Sequence, residues 1–284
     1  MKRSISSILL AFLFAATLLG CSFQSGQKDK EFSVNLKGNG LVVLCYHRII
    51  PNQFLKLGRS FDPKESELAY YTIGTDEFAS QLKYLKQYHV RFLTPQQAQD
   101  YLTGKQKFSG KLVLITLDDG DLSIYKDAYP RLKQLGIPFL LFMIAGQAGK
   151  QWEGFNMLTW GQMKEMEKSG CCTVGLHTYN MHFIDSQTNQ PVFLNKNKKK
   201  QFDDDTKKGI ASLKQHLGTN TIYFAYPYGF GNPDTDQILM SHGINNIFTL
   251  SGKVNHTGDK QFYIGRFLVT SDDWKQIKSW VQSK

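Results

Sequence analysis

The sequence predicts an α/β domain of barrel-like architecture, and three observations lead there. Seven short runs, most of them apolar throughout instead of alternating, lie at 41–46, 111–117, 139–144, 173–176, 222–226, 246–250 and 263–269, the pattern of strands covered on both faces. Amphipathic stretches of helical period lie between them. Four of the runs are followed at once by chemistry-bearing residues, and the C-terminal rim is where barrel enzymes assemble their sites. About seven strand-then-helix units in roughly 245 residues fit a barrel. An open doubly wound sheet is the alternative, but no Gly-rich dinucleotide loop speaks for it.

The helices follow in order. One over 76–89 carries Phe78, Leu82 and Leu85 on one stripe, with Thr75 placed as N-cap. Thr94-Pro95, with Gln97 at the third helical position, starts a second, short one. Thr159 caps a helix that reaches Ser169 and ends at Gly170. Helices over 199–217 and 234–242 end at Gly218 and Gly243, and Ser271 caps a last one over 272–283. Between His47 and Thr75 the chain lacks periodicity but carries Phe54, Leu55, Leu57, Phe61, Tyr70 and Tyr71. Such a loop lines a cleft, touches membrane or packs on the surface.

The first twenty residues stand apart. Lys2 and Arg3 precede an apolar run from Ile5 to Leu19 that is short for a membrane span and reads as a signal peptide over 1–20. Leu18-Leu19-Gly20-Cys21 resembles a bacterial lipobox, in which Cys21 is acylated and becomes the mature N-terminus. A polar tether over 21–40 and a catalytic domain over 41–284 follow. The expected location is the outer face of the cytoplasmic membrane, held by the lipid anchor. The remaining cysteines, Cys45, Cys171 and Cys172, are odd in number and lack zinc-ligand spacing. The formal charge of +10 suits anionic envelope polymers or lipid headgroups. The basic run at 196–200 lacks the interleaved aromatics of a nucleic-acid platform, and no nucleic-acid partner is expected.

The residues past the strand ends are His47, Asp118-Asp119-Gly120, His177, and Pro227-Tyr228-Gly229. Adjacent carboxylates repel unless a cation or a shared proton resolves the conflict. Asp-Asp-Gly alone is most often a turn. His177 and His182 are five residues apart, about 140° around a helix, so they converge more readily from a loop. Two imidazoles and one carboxylate with open positions form a recognised catalytic metal arrangement.

Thr116-Leu117-Asp118-Asp119-Gly120 resembles the first motif of the polysaccharide deacetylase superfamily (carbohydrate esterase family 4), usually Thr-Phe-Asp-Asp-Gly. The stretch from His177 through Thr178 to His182 is similar to its second motif, and Tyr226-Pro227-Tyr228-Gly229 to its third. Leu44-Cys45-Tyr46-His47 resembles a Leu-x-x-His-like segment found early in circularly permuted members. The resemblance covers about residues 41–270. It implies a distorted (β/α)7 barrel with permuted motif order. It also implies a divalent metal, Zn2+ before Co2+ or Ni2+, on Asp119, His177 and His182. Asp118 is then the general base, His47 the acid that protonates the departing sugar amine, and Tyr228 and Trp274 substrate-binding residues.

The permuted order resembles the biofilm branch, which implies N-deacetylation of extracellular poly-β-1,6-N-acetylglucosamine with release of acetate. Peptidoglycan or chitin-like β-1,4 chains are the alternative substrates, and glycan binding without turnover the alternative role. One position departs from the pattern: many relatives have Arg where Ala225 stands. Arg266 either substitutes for it or forms an ordinary ion pair. Asp272-Asp273-Trp274 resembles a fourth motif, but Ser271-Asp272 also reads as a helix start, and Trp274 either stacks on sugar or packs. His89, His216, His242 and His256 read as structural, the first three near helix C-termini.

Overall fold

The computed structural model describes residues 36–58, 71–259, 263–271 and 273–283. The chain divides into two units, Met1–Phe32 and Ser33–Lys284, and all described residues belong to the second. The signal segment, Cys21, most of the tether, Phe61, Tyr70 and Asp272 lie outside the described residues.

Eight parallel strands build the main sheet: β1 (Gly40–Tyr46), β2 (Arg91–Phe92), β3 (Lys111–Leu117), β4 (Phe139–Met143), β5 (Cys172–Leu176), β6 (Tyr223–Ala225), β7 (Asn246–Thr249) and β8 (Ile264–Leu268). Their order is β1-β8-β7-β6-β5-β4-β3-β2, and β1 also pairs with β3 from Gly40↔Lys111 to Tyr46↔Leu117. That second pairing closes the ring. The two-residue β2 pairs only with Leu112 and Val113, below the point where β4 joins β3 at Ile115. The closed barrel therefore has seven strands, with β2 filling a gap beneath β4. These seven are the seven apolar runs, several trimmed at their ends.

The apolar runs do not alternate because both faces of each strand are covered. Leu41 and Val43 of β1, Leu112 and Leu114 of β3, Leu140 and Phe142 of β4, and Ala225 of β6 belong to one buried cluster, the barrel interior. Val42, Leu44, Val113, Ile115 and Leu141 belong to another, between barrel and helices. The period of two then carries Cys45, Thr116 and Arg266 into the upper interior, directly below the mouth.

The helices are α1 (Asn52–Gly58), α2 (Thr75–Gln87), α3 (Pro95–Leu102), α4 (Tyr129–Leu135), α5 (Trp160–Lys168), α6 (Lys199–Leu217), α7 (Pro233–Ser241) and α8 (Trp274–Gln282). Thr94 and Thr159 form the expected capping boxes with Gln97 and Gln162. Thr75 is not a cap: it is the first helical residue, and Asn52 Oδ1 accepts from the Asp76 N–H at 3.2 Å in its place. Ser271 does not cap α8 either; its hydroxyl donates to Glu77, and Thr270 forms the turn with Asp273. The sequence reading passes over the helix between β3 and β4. There a π-helical stretch, Ile124–Ala128, slips the phase before Tyr129-Pro130 opens α4. The segment without periodicity contains α1 and two three-residue strands, Arg48–Ile50 and Thr72–Gly74, which pair in parallel. No described helix is long and apolar enough to cross a membrane.

Candidate active site

Three loops at the C-terminal mouth hold a non-glycine residue in the left-handed region: Asp119 (φ 68°), Thr178 (φ 70°) and Tyr228 (φ 61°). Each such conformation costs on the order of 1–3 kcal/mol and persists only where surrounding contacts fix it. After β5, Ala145 N–H donates to Thr178 O at 3.1 Å and Gly146 N–H to Tyr179 O at 2.7 Å. From the other side, the Asp205 carboxylate of α6 accepts from Tyr179 N–H (2.7 Å) and Asn180 N–H (2.8 Å). This clamp turns the chain back so that His182 meets His177, as the five-residue spacing anticipates for a loop.

Asp119 Oδ1 lies 3.3 Å from His182 Nε2 and 3.6 Å from His177 Nε2. Oxygen and nitrogen donors on one tetrahedral zinc stand about 3.4 Å apart, given bond lengths near 2.1 Å. His177 Nδ1–H donates to Ala225 O at 2.7 Å, which leaves the Nε2 lone pair facing the cluster. Asp119 Oδ1 is buried with no hydrogen-bond partner among the described residues. Spacing, tautomer and the orphaned oxygen all fit a divalent metal, so these three residues form a possible metal site.

The two imidazoles are set apart electrostatically. Burial pushes His177 down to about 4, against the opposing carboxylate of Asp118. Burial also disfavours charge on His182, but the Asp119 carboxylate 3.3 Å away outweighs it and raises its pKa. Asp119 is correspondingly held far below the usual carboxylate range, despite its own burial, by His182.

Asp118 lies beside this cluster, its Oδ2 3.9 Å from His177 Nε2. Its Oδ1 accepts from Arg266 Nη1 at 2.7 Å, and the same nitrogen reaches Thr116 Oγ1 at 3.3 Å. Arg266 and Asp118 are 0% and 2% exposed, so this is no surface ion pair. Arg266 thus supplies a guanidinium from β8 where Ala225 has none to offer. Burial alone drives the Asp118 carboxyl up, yet Arg266, His177 and His47 lower it overall.

These groups open into a cleft of about 220 Å³ whose lining includes His47, Asp118, Asp119, His177, His182 and Tyr228. His47 stacks at a tilt on Tyr71, 4.7 Å between ring centroids. Trp274 is not brought there: it packs against Tyr84 at 6.2 Å, beside the core. The aromatic wall comes instead from a hairpin, Gln151–Trp152 with Phe155–Asn156, which sequence reading missed. Trp152 sets its ring edgewise on His182 at 5.2 Å, and Arg48 lies over Phe155 at 4.0 Å. The signal available was Trp152-Glu153-Gly154-Phe155, two aromatics flanking a turn, with Gly154 at φ 83°. Of the other histidines, His216 stacks on Trp160, His242 pairs with Asp203 at 2.6 Å and His256 Nε2 contacts Asn39 O at 3.1 Å.

A closed parallel barrel with an Arg-supported carboxylate beside a possible metal site at its C-terminal mouth has the layout of an α/β-barrel hydrolase. Comparison with known proteins makes this specific. Residues 105–247 match the polysaccharide deacetylase family. A poly-beta-1,6-N-acetyl-D-glucosamine N-deacetylase of Staphylococcus aureus is 30% identical over 274 residues, 96% of this chain and 93% of the relative. One of Staphylococcus epidermidis is 29% identical over 279 residues, 97% and 95% of the two chains. Among solved structures, IcaB from Ammonifex degensii is 53% identical with a TM-score of 0.79, over 87% of this chain and 99% of that one. A de-N-acetylase from Aggregatibacter actinomycetemcomitans, 23% identical with a TM-score of 0.70 over 85% and 100% of the chains, shares the fold. The chain belongs to the polysaccharide deacetylase family, whose members here are amide-hydrolysing N-deacetylases. His47 and Arg266 both lie outside the stretch that the family match spans.

Proposed function

We propose that this chain hydrolyses N-acetyl groups of poly-β-1,6-N-acetylglucosamine outside the cell, in a metal-dependent reaction that releases acetate. The observation that carries the reading is the buried Arg266–Asp118 pair set against the Asp119, His177, His182 cluster in one cleft. The relatives' names support the substrate.

Asp119, His177 and His182 would hold the ion, most simply zinc, with cobalt or nickel equally compatible with these donors. A divalent ion in that place supplies Lewis acidity toward the acetamide carbonyl and makes water a better nucleophile near neutral pH. Asp118, kept ionised by Arg266, takes the proton from the attacking water through Oδ2, the oxygen that faces the cluster. The carbonyl oxygen gains charge as the tetrahedral centre forms, and a backbone N–H near Tyr228, on the cleft wall, would stabilise it. His47 delivers a proton to the departing nitrogen as the C–N bond breaks, leaving acetate and a free sugar amine. Trp152 and Tyr228, both ring neighbours of His182 in the cleft, offer apolar faces to the sugar ring.

Glycan binding without turnover loses its one support, since Arg266 stands in for the guanidinium missing at Ala225. Linkage is tested by product analysis on β-1,6 and β-1,4 N-acetylglucosamine oligomers; preferential acetate release from β-1,4 chains overturns the substrate assignment. The location rests on the leader and Cys21 in the sequence. Mass spectrometry of the membrane fraction checks it, with acylated Cys21 expected and an unmodified secreted form contradicting it.

A further inference from the structure

A second set of donors lies beside the first. Cys45, His47 and Asp118 bring a sulfur, an imidazole nitrogen and a carboxylate oxygen within 4.8 Å of one another. The barrel closure puts them there. β1 and β3 pair in parallel, with Cys45 opposite Thr116 and Tyr46 opposite Leu117, so the residues following both strands emerge side by side. Cys45 Sγ stands 3.5 Å from Asp118 Oδ2. Sulfur and oxygen on one tetrahedral zinc, bonded at about 2.3 Å and 2.1 Å, are about 3.6 Å apart. A thiol donating to a carboxylate explains that approach by itself, but it leaves His47 beside the pair unexplained. Its Nδ1 is buried and has no hydrogen-bond partner among the described residues.

The two sets differ in chemistry. Asp119, His177 and His182 offer only nitrogen and oxygen, whereas this one adds a sulfur, which selects soft ions. Burial holds the Cys45 thiol protonated, but the Arg266 charge beside it works the other way. An ion in reach of Asp118 Oδ2 is also next to the first set, since that oxygen is 3.9 Å from His177 Nε2.

We propose that Cys45, His47 and Asp118 form a second, inhibitory site for a thiophilic divalent cation such as cadmium, or zinc in excess. The inhibition rests on the deacetylase reading above, in which Asp118 and His47 move protons. As the sulfur–metal bond forms, the Cys45 thiol releases its proton to solvent, and no electrons are transferred. The ion occupies the Asp118 oxygen and the His47 nitrogen together, stopping turnover while the ion on Asp119, His177 and His182 stays in place.

The test starts from protein loaded with one equivalent of zinc and titrated with cadmium. Bound metal is counted after gel filtration, and the sulfur-to-cadmium charge-transfer absorption is followed. The expected result is a second equivalent of metal, the absorption rising with it, and at least tenfold loss of acetate release that mild chelation reverses. In Cys45→Ala and in Cys45→Ser, the second equivalent and the absorption disappear. Each variant's activity, relative to its own uninhibited rate, resists cadmium. Cys21, Cys171 and Cys172 remain in both variants, so absorption that persists there comes from those residues and overturns the site. Cadmium that merely replaces zinc, at one ion per chain without the absorption, overturns it too. Stoichiometry and absorption need no turnover, so they decide the site even if the chain proves inactive on glycans.

Discussion

Arg266 and Asp118, 148 residues apart in sequence, meet at 2.7 Å at the buried floor of the cleft. The guanidinium rises from the interior face of β8 and takes one oxygen of the carboxylate, leaving the other toward the His-His-Asp cluster. Each charge is tolerable there because the other is present, since either one alone in that interior is strongly disfavoured.

Replacing Arg266 by Met therefore acts on stability and on chemistry. Breaking a buried pair on one side costs about 3–5 kcal/mol, which calorimetry or denaturant unfolding measures. Arg266 lowers the Asp118 pKa, so its removal raises it. The acid limb of kcat/KM accordingly moves to higher pH in Arg266→Met. A variant that loses activity by the same factor at every pH would show that Arg266 does not tune the base.

The metal site should respond to pH through one histidine only. His177 sheds its proton near pH 4, while the proton on His182 is retained above its ordinary range. Between about pH 4.5 and 6.5 an entering ion displaces the His182 proton and finds His177 already neutral, with Asp119 ionised. Log affinity then rises by about one unit per pH unit. Calorimetry in buffers of different ionisation enthalpy counts the protons released. Two protons per ion at pH 5.5 would contradict the assignment.

Asp205 touches neither histidine, but it sets their loop. Its carboxylate accepts two successive N–H groups, and burial pushes its pKa up to about 6. In Asp205→Asn one acceptor becomes a donor that faces an N–H. The expected outcome is a folded protein whose metal affinity falls by about 10–100-fold, the usual effect of losing a group that supports a ligand. Competition against a chromogenic chelator measures it. Unchanged affinity together with lowered thermal stability would reduce Asp205 to a scaffold residue.

Much of this site is legible in the sequence because its parts are local. The seven apolar runs mark the strands, and four of them carry chemistry at their ends, so Asp118, Asp119, His177 and His47 can be read without a structure. Arg266 cannot be resolved that way. Its partner depends on β1 lying between β8 and β3, a closure that no local pattern encodes. Trp152 and Trp274 present the same difficulty in opposite senses. Both are aromatics beside acidic residues, and tertiary placement alone puts Trp152 on His182 and Trp274 on Tyr84. The helix preceding β4 escapes because its π-helical turn breaks the period that would announce it.

The exchange of tryptophans has a kinetic consequence. Trp152→Ala removes an aromatic face from the cleft and should lower kcat/KM about two- to tenfold, from the 0.5–1.5 kcal/mol typical of aromatic contacts. Trp274→Phe, away from the cleft, should leave kcat/KM on glycan oligomers unchanged. The reverse ranking, with Trp274 dominant, would place the sugar elsewhere.

Acetate release from β-1,6-linked N-acetylglucosamine oligomers by the metal-loaded protein, compared with Asp118→Asn, tests the proposed chemistry most directly. One acetate should appear for each free amine, chelation should abolish release, and added zinc, cobalt or nickel should restore it. Asp118→Asn should bind metal normally and lose at least about 100-fold in rate, the scale of a lost general base. Release that survives chelation, or survives Asp118→Asn, would contradict a reaction run by Asp118 beside a metal on Asp119, His177 and His182.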